Sequence, residues 1–385
     1  MGRDGLRGHQ PLVSRARPVS SIAPRAHRYV TLALVLSCAL TALAGAAPQN
    51  DTSHPAVPPP TGSASGPPAL TEARKAASEL KQLHSLLVSW RGDIVLEHYA
   101  SGVTAGKLAN IKSASKSVIA ALVGIALDRG LIASVAEPIV TFFPELGRDA
   151  DERKRTITVE HLLTMQSGLE STSGEHYGPW VRSRNWVRYA LERPLVSAPG
   201  TSMEYSTGTS HMLSALLTKV AKKSTREFAQ EVLAGPLGFT LARWPRDPQG
   251  IYFGGNQMLM TPRQMVAFGE LYRNRGEVGG RQILSAEWID ASCVPRTRSR
   301  WDSDRLYGYG WWVQQFGDWQ ACFAWGFGGQ YVFVFRDLAL VIAVTSSTNA
   351  SDERFGYRRS LFELIEREVL PAVATATSAG VRGSP

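Results

Sequence analysis

The sequence predicts an α+β protein: one antiparallel sheet built from both chain ends and flanked by helices, with a mostly helical second region. Three observations predict it. Strand-like apolar runs cluster at residues 86–99 and return after residue 309. Helical patterns separated by Gly and Pro turns fill residues 130–290. The 385 residues, 44% hydrophobic and 19% charged, suffice for a sizeable core in one large domain or two interleaved ones.

Residues 1–46 read as a signal peptide. A basic stretch ends at Arg28, an apolar run covers Tyr29 to Leu43, and small residues follow at A-x-A spacing in Ala42-Leu43-Ala44 and Ala44-Gly45-Ala46. The apolar run is shorter than the ~20 residues of a spanning helix, which favours cleavage over a permanent anchor. Val35-Leu36-Ser37-Cys38 also resembles a lipoprotein site, although the signal continues past Cys38. The chain is therefore expected to be exported, periplasmic or secreted. Membrane contact is expected only through an uncleaved N-terminal segment.

Residues 47–70, rich in Pro, Ser, Thr and Gly, read as a linker. Residues 71–371 read as the folded domain, and residues 372–385 as a low-complexity disordered tail. Within the domain a helical stretch from Leu70 to His84 comes first. Leu86–Trp90 and Ile94–Tyr99 then flank Arg91-Gly92-Asp93, a hairpin pattern. Ser113 to Arg129 is apolar nearly all round, which marks a buried helix. Further helices are expected at Thr158–Gln166, Thr209–Lys222 and Pro262–Arg275. The last third gives strands at Tyr309–Val313, Gln330–Phe335 and Leu338–Thr345, and a closing helix at Arg359–Val369.

Charge narrows the function. Of the +9 formal charge, +5 lies in residues 1–46, which hold six arginines and one acid. The remaining +4 forms no basic run, so nucleic-acid binding is rejected as a main function. Cys293 and Cys322 remain once Cys38 leaves with the signal. They are either a disulfide or two separate thiols, and the sequence leaves that open. No Cys/His cluster has zinc-ligand spacing, so no metal and no cofactor are expected.

Ser113-Ala114-Ser115-Lys116 is an S-x-x-K motif. Ser78-Glu79-Leu80-Lys81 fits the same pattern, so the motif alone decides nothing. Context separates the two. Ser78 lies in a polar, exposed stretch, whereas Ser113 heads a buried helix, where positions i and i+3 share a face. A serine hydroxyl needs a base to become a nucleophile. A lysine can serve once burial lowers its pKa from about 10.4. Tyr205, on the Gly-flanked loop Pro199–Gly208, can sit in a cleft and pass protons. Gly326 and Gly328, around Phe327 in Ala324-Trp325-Gly326-Phe327-Gly328-Gly329, let a backbone or a ligand approach closely. Such a strand can aim backbone N–H groups at an oxyanion.

These three motifs, in this order, resemble the serine β-lactamase and DD-peptidase superfamily, in particular its class C-like branch of esterases and 6-aminohexanoate-dimer hydrolases. Ile157–Leu169 and Leu259–Met265 resemble further recurrent segments of that branch, so the likeness spans roughly residues 84–370. It implies a β-lactamase/transpeptidase-like fold. It also implies an acyl-enzyme at Ser113, with Lys116 as base and Tyr205 sharing proton transfer. The N–H groups of Ser113 and Phe327 would form the oxyanion hole. Trp325 and Phe327 are candidates for the pocket wall, as is Trp186, for which core packing fits better. Two positions depart from the pattern. Thr207 stands where the branch carries Asn or Ser, and Ala324 where it carries Lys or His. Both favour a small-molecule ester or amide as substrate over a β-lactam. A β-lactamase or DD-peptidase, and a non-catalytic binding or sensor protein on the same scaffold, are the competing expectations.

Overall fold

The computed structural model describes residues 68–300, 304–349 and 354–382. The expected signal peptide and most of the linker lie outside these residues.

Eight strands form one sheet: β1 (Leu83–Trp90), β2 (Asp93–Tyr99), β3 (Thr297–Arg298), β4 (Leu306–Tyr307), β5 (Trp312–Phe316), β6 (Trp319–Gly326), β7 (Gln330–Phe335) and β8 (Leu340–Ser346). Their order across the sheet is β2-β1-β8-β7-β6-β5-β4-β3. N-terminal β1 pairs antiparallel with C-terminal β8, Leu86 opposite Val344 and Val88 opposite Ile342. The sheet is thus built from both chain ends. The β1–β2 hairpin turns at Arg91 and Gly92, both at positive φ (56° and 97°). That geometry matches the right-handed twist of two-residue hairpins.

Both faces of the sheet are covered, so its central strands are apolar throughout rather than alternating. Val332, Val334, Val341 and Ala343 join a core with the helical region. Their neighbours Phe333, Phe335, Ile342 and Val344 join a second core on the other face. That second face is covered by α1 (Thr71–Glu79) and by the C-terminal helices. On the first face lie α2 (Ser115–Asp128), α3 (Thr207–Ala221) and α4 (Pro262–Arg273). Contact there is close: a Cβ on Gly269 of α4 would come within 2.4 Å of Val341 Cγ1.

Three expectations are corrected, and one strand was not foreseen. The first helix ends at Glu79, and β1 begins at Leu83, inside the stretch read as helical to His84. The strand expected at Tyr309–Val313 lies at Trp312–Phe316. Gly310 takes φ 73° and bonds through its N–H to Leu163 O, which breaks the extended run. Strand β6 was not anticipated, because its run of buried residues on both faces shows no alternation. Finally, residues 372–382 are helical, not a disordered tail. The chain runs helical through α5 (Arg354–Leu364), a wide turn at Ile365–Val369, and α6 (Leu370–Arg382). Leu370 and Val373 dock into the second core and supply the tertiary contact that composition hid. Cys293 and Cys322 are disulfide-bonded, tying the end of helix Ala286–Ser292 to β6.

Candidate active site

The approach to Ser113 is fixed by backbone pairing. Ala109 and Asn110 pair with Met260 and Leu259, and the Ile111 N–H donates to Met258 O at 3.0 Å. Lys112 then adopts the left-handed region (φ 52°), held by the Asn110 side chain, which accepts from its N–H at 3.0 Å. A non-glycine residue at positive φ is uncommon and costly, so the surroundings must hold this bend. A short 3₁₀ turn, Lys112–Ala114, carries Ser113 into α2.

One turn later Lys116 is buried, 3% exposed, with Nζ 3.1 Å from Ser113 Oγ. Nζ also donates to Gly255 O at 2.8 Å and lies 3.4 Å from Thr207 Oγ1. Burial drives the lysine pKa down to about 7, because the charged amine has lost its water. Gly255 is required for this approach: a Cβ there would come 2.3 Å from Ser210 Oγ and 3.2 Å from Lys116 Cγ.

Tyr205 precedes α3. The N–H of Glu204 donates to Met165 O at 2.7 Å, and Tyr205 O accepts from Ser171 Oγ at 2.7 Å, so the loop is anchored on both sides. The Tyr205 ring centroid is 4.9 Å from Lys116 Nζ. The ring stacks on Trp312 (5.8 Å) and meets Tyr307 edge-on (6.5 Å). Burial pushes its phenol up to about 12, while a hydrogen bond with Ser113 works in the opposite direction. At neutral pH the pair therefore consists of a lysine near its midpoint and a phenol that keeps its proton.

The glycine motif closes the other side. A Cβ on Gly326 would come 2.1 Å from Ile111 O, so only glycine lets the end of β6 run against the turn that carries Ser113. Gly328 and Gly329, at φ 84° and 97°, form the turn into β7. Phe327 is 42% exposed and, with Trp325 and Tyr331, lines a cavity of about 270 Å³. A second cavity of about 630 Å³ opens on the Tyr205 side, beside Ser173, Glu170 and Glu204. Trp186 lies in the core against Trp180 and Phe253.

The structure thus brings Ser113, Lys116, Tyr205 and Thr207 together, with Gly326, the last residue of β6, against Ile111 two residues before Ser113. Thr207 lacks an amide, yet its hydroxyl still reaches the lysine and also contacts Ser173 Oγ at 3.1 Å. Sequence reasoning missed Gly255 and Ser173. The Gly254-Gly255 doublet was the signal available for the first, since paired glycines mark close backbone approach.

A sequence model of the Beta-lactamase family matches residues 84–364. The chain belongs to this family. That family lies within the serine β-lactamase and DD-peptidase superfamily, and the chain's fold recurs in solved structures. One is a Bacillus anthracis protein provisionally designated a 6-aminohexanoate-dimer hydrolase (20% identity, TM-score 0.65, covering 76% of this chain and 81% of that one). Another is EstCE1, described as a hydrolase with promiscuous acyltransferase activity (15%, TM-score 0.65, 77% and 98%). A third is the octameric penicillin-binding protein homologue from Pyrococcus abyssi (20%, TM-score 0.60, 76% and 77%). At these identities the likeness establishes the fold. No curated protein sequence matches the chain.

Proposed function

We propose that this family member is a serine hydrolase that cleaves a carboxylic ester or amide through an acyl-enzyme at Ser113. The observation that carries the reading is the 3.1 Å contact between Ser113 Oγ and a lysine amine whose pKa burial has brought to about 7. Such an amine is half neutral at neutral pH and can accept the serine proton.

The steps follow from that assignment. Ser113 Oγ bonds to the substrate carbonyl carbon as its proton passes to Lys116 Nζ. The carbonyl electron pair moves onto oxygen, where the N–H groups of Ser113 and Phe327 would donate. Collapse breaks the bond to the leaving group. Tyr205 gives that group its phenol proton and regains one from Lys116. Water then attacks the acyl ester, and its proton returns through the same pair to Ser113 as the carboxylic acid departs. Ala324 is buried within β6 and offers no cation for a β-lactam carboxylate, which favours simple esters or amides.

The test is turnover of p-nitrophenyl esters, linear amides and nitrocefin by wild type and Ser113→Ala. Ester or amide hydrolysis is expected, lost at least about a thousandfold in the variant. Equal hydrolysis by both proteins would sink the reading. Nitrocefin turnover alone would reassign the chain as a β-lactamase, and acylation without turnover would favour a binding or sensor role. We also propose export. The signal-like residues 1–46 and the Cys293–Cys322 disulfide support an oxidising compartment. N-terminal sequencing of the mature protein from fractionated cells tests this, and an intact Met1 in the cytosol would contradict it.

A further inference from the structure

The contacts of Lys116 lead away from the cleft to a buried histidine that the acyl-transfer steps do not touch. His211 lies one turn beyond Thr207 on α3 and is fully buried. Trp180, Trp186 and Phe253 surround its ring, with centroids 5.9, 5.4 and 6.0 Å away. His211 Nδ1 accepts a hydrogen bond from the Gly254 N–H at 3.2 Å. A backbone N–H only donates, so Nδ1 carries no proton and the neutral ring holds its proton on Nε2. Nε2 donates to Asp247 Oδ2 at 3.0 Å. The Asp247 carboxylate is buried too. Its Oδ1 accepts from the N–H groups of Gln249 and Ile251 at 2.8 and 2.9 Å.

This chain of bonds ends on the catalytic amine. A Cβ on Gly254 would come 2.4 Å from Ser210 O, so the loop is pressed onto α3 and His211 fixes its orientation. The next carbonyl, Gly255 O, takes one N–H of Lys116 at 2.8 Å, and Thr207 Oγ1 lies 3.4 Å from the same amine. A neutral amine has two N–H bonds and one lone pair. With both N–H bonds so directed, the lone pair faces Ser113 Oγ, the direction a base needs.

We propose that His211 and Asp247 are positioning residues: they hold the Gly255 carbonyl, and through it the lone pair of Lys116, toward Ser113. The inference rests on the acyl-enzyme reading above. Around Lys116 the titratable neighbour across the cleft is Tyr205. Among the described residues in contact with His211, the charged neighbour is Asp247.

The test is Asp247→Asn, read through the rate at which a fluorophosphonate labels Ser113 as a function of pH. An amide that keeps its oxygen toward Gln249 and Ile251 turns its NH₂ on Nε2. The ring proton then moves to Nδ1 and sets two donors against each other at Gly254. Labelling is expected to slow by about a hundredfold, the low end of what a positioned base contributes. The acid limb of the pH profile is expected to move to lower pH, because the ammonium loses its carbonyl partner. Adding His211→Asn, whose side-chain oxygen accepts from Gly254 whatever occupies position 247, should restore both rate and limb. If Asp247→Asn does not fold, His211→Asn against His211→Ala makes the same distinction: the first keeps the limb and the second moves it. A slower rate with an unmoved limb, or a double variant no faster than Asp247→Asn, would reduce the pair to core packing. Wild type that is not labelled at Ser113 would instead overturn the acyl-enzyme reading, and the positioning role with it.

Discussion

The chain contains two S-x-x-K sequences, and the fold gives them opposite fates. Ser78 sits near the exposed end of α1, where its hydroxyl donates to Lys75 O at 2.6 Å, and Lys81 lies beyond the helix end in an exposed turn. Ser113 and Lys116 span one turn at the head of a helix buried on every side, with their functional atoms 3.1 Å apart. The same four-residue pattern is therefore a solvated surface in one place and a contacting serine and buried lysine in the other. The motif supplies the groups, whereas burial sets the lysine's affinity for its proton.

The sharpest way to break this comparison is to remove each lysine. Lys116→Ala should slow Ser113 labelling and ester hydrolysis about 10³–10⁴-fold, whereas Lys81→Ala should stay within about twofold of wild type. The wild-type pH profile belongs to the same comparison. Labelling should rise with pH through a limb near 7, where Lys116 loses its proton, while Tyr205, at about 12, remains protonated. A limb near 10.5 would mean that Lys116 behaves like a solvated lysine. Next in size, Tyr205→Phe should lower kcat/KM about a hundredfold by removing the proton donor to the leaving group, as measured by steady-state hydrolysis.

Stability gives a third contrast. The amine of Lys116 is held at about 7 in the fold against 10.5 when exposed, so the unfolded chain binds a proton that the native one resists. That penalty is complete below pH 7 and fades as pH rises to 10.5. Lys116→Met should therefore stabilise the inactive protein by about 1–3 kcal/mol at pH 6 and by less above pH 10, as read by urea unfolding. Lys81→Met should change little at either pH. Among substitutions at the site itself the smallest expected loss is that of Thr207→Ala, about two- to fivefold in kcat/KM, because its hydroxyl meets the amine only at 3.4 Å.

How far the sequence could be read follows from the same physics. That Ser113, Lys116 and Tyr205 would meet was legible, because residue type, helix spacing and apolar flanks single out the same three positions. The sheet from both chain ends was legible from where the apolar runs fall. Gly255 was not, because its role is played by a carbonyl, which every residue has, acting on a lysine 139 residues away. The His211–Asp247 pair was hidden for a related reason: its meaning lies in which donor meets which ring nitrogen across 36 residues. Strand β6 and helix α6 were hidden by tertiary cover, which removes alternation from the one and makes the Ala- and Thr-rich run of the other worth ordering.

The central claim is that burial of Lys116 makes Ser113 the nucleophile, and mapping the site of fluorophosphonate attachment tests it most directly. Peptide mass spectrometry of the labelled protein should find one adduct, on the peptide bearing Ser113, absent in Ser113→Ala and strongly reduced in Lys116→Ala. An adduct on Ser78 or another serine, or equal labelling of Ser113→Ala, would contradict the account.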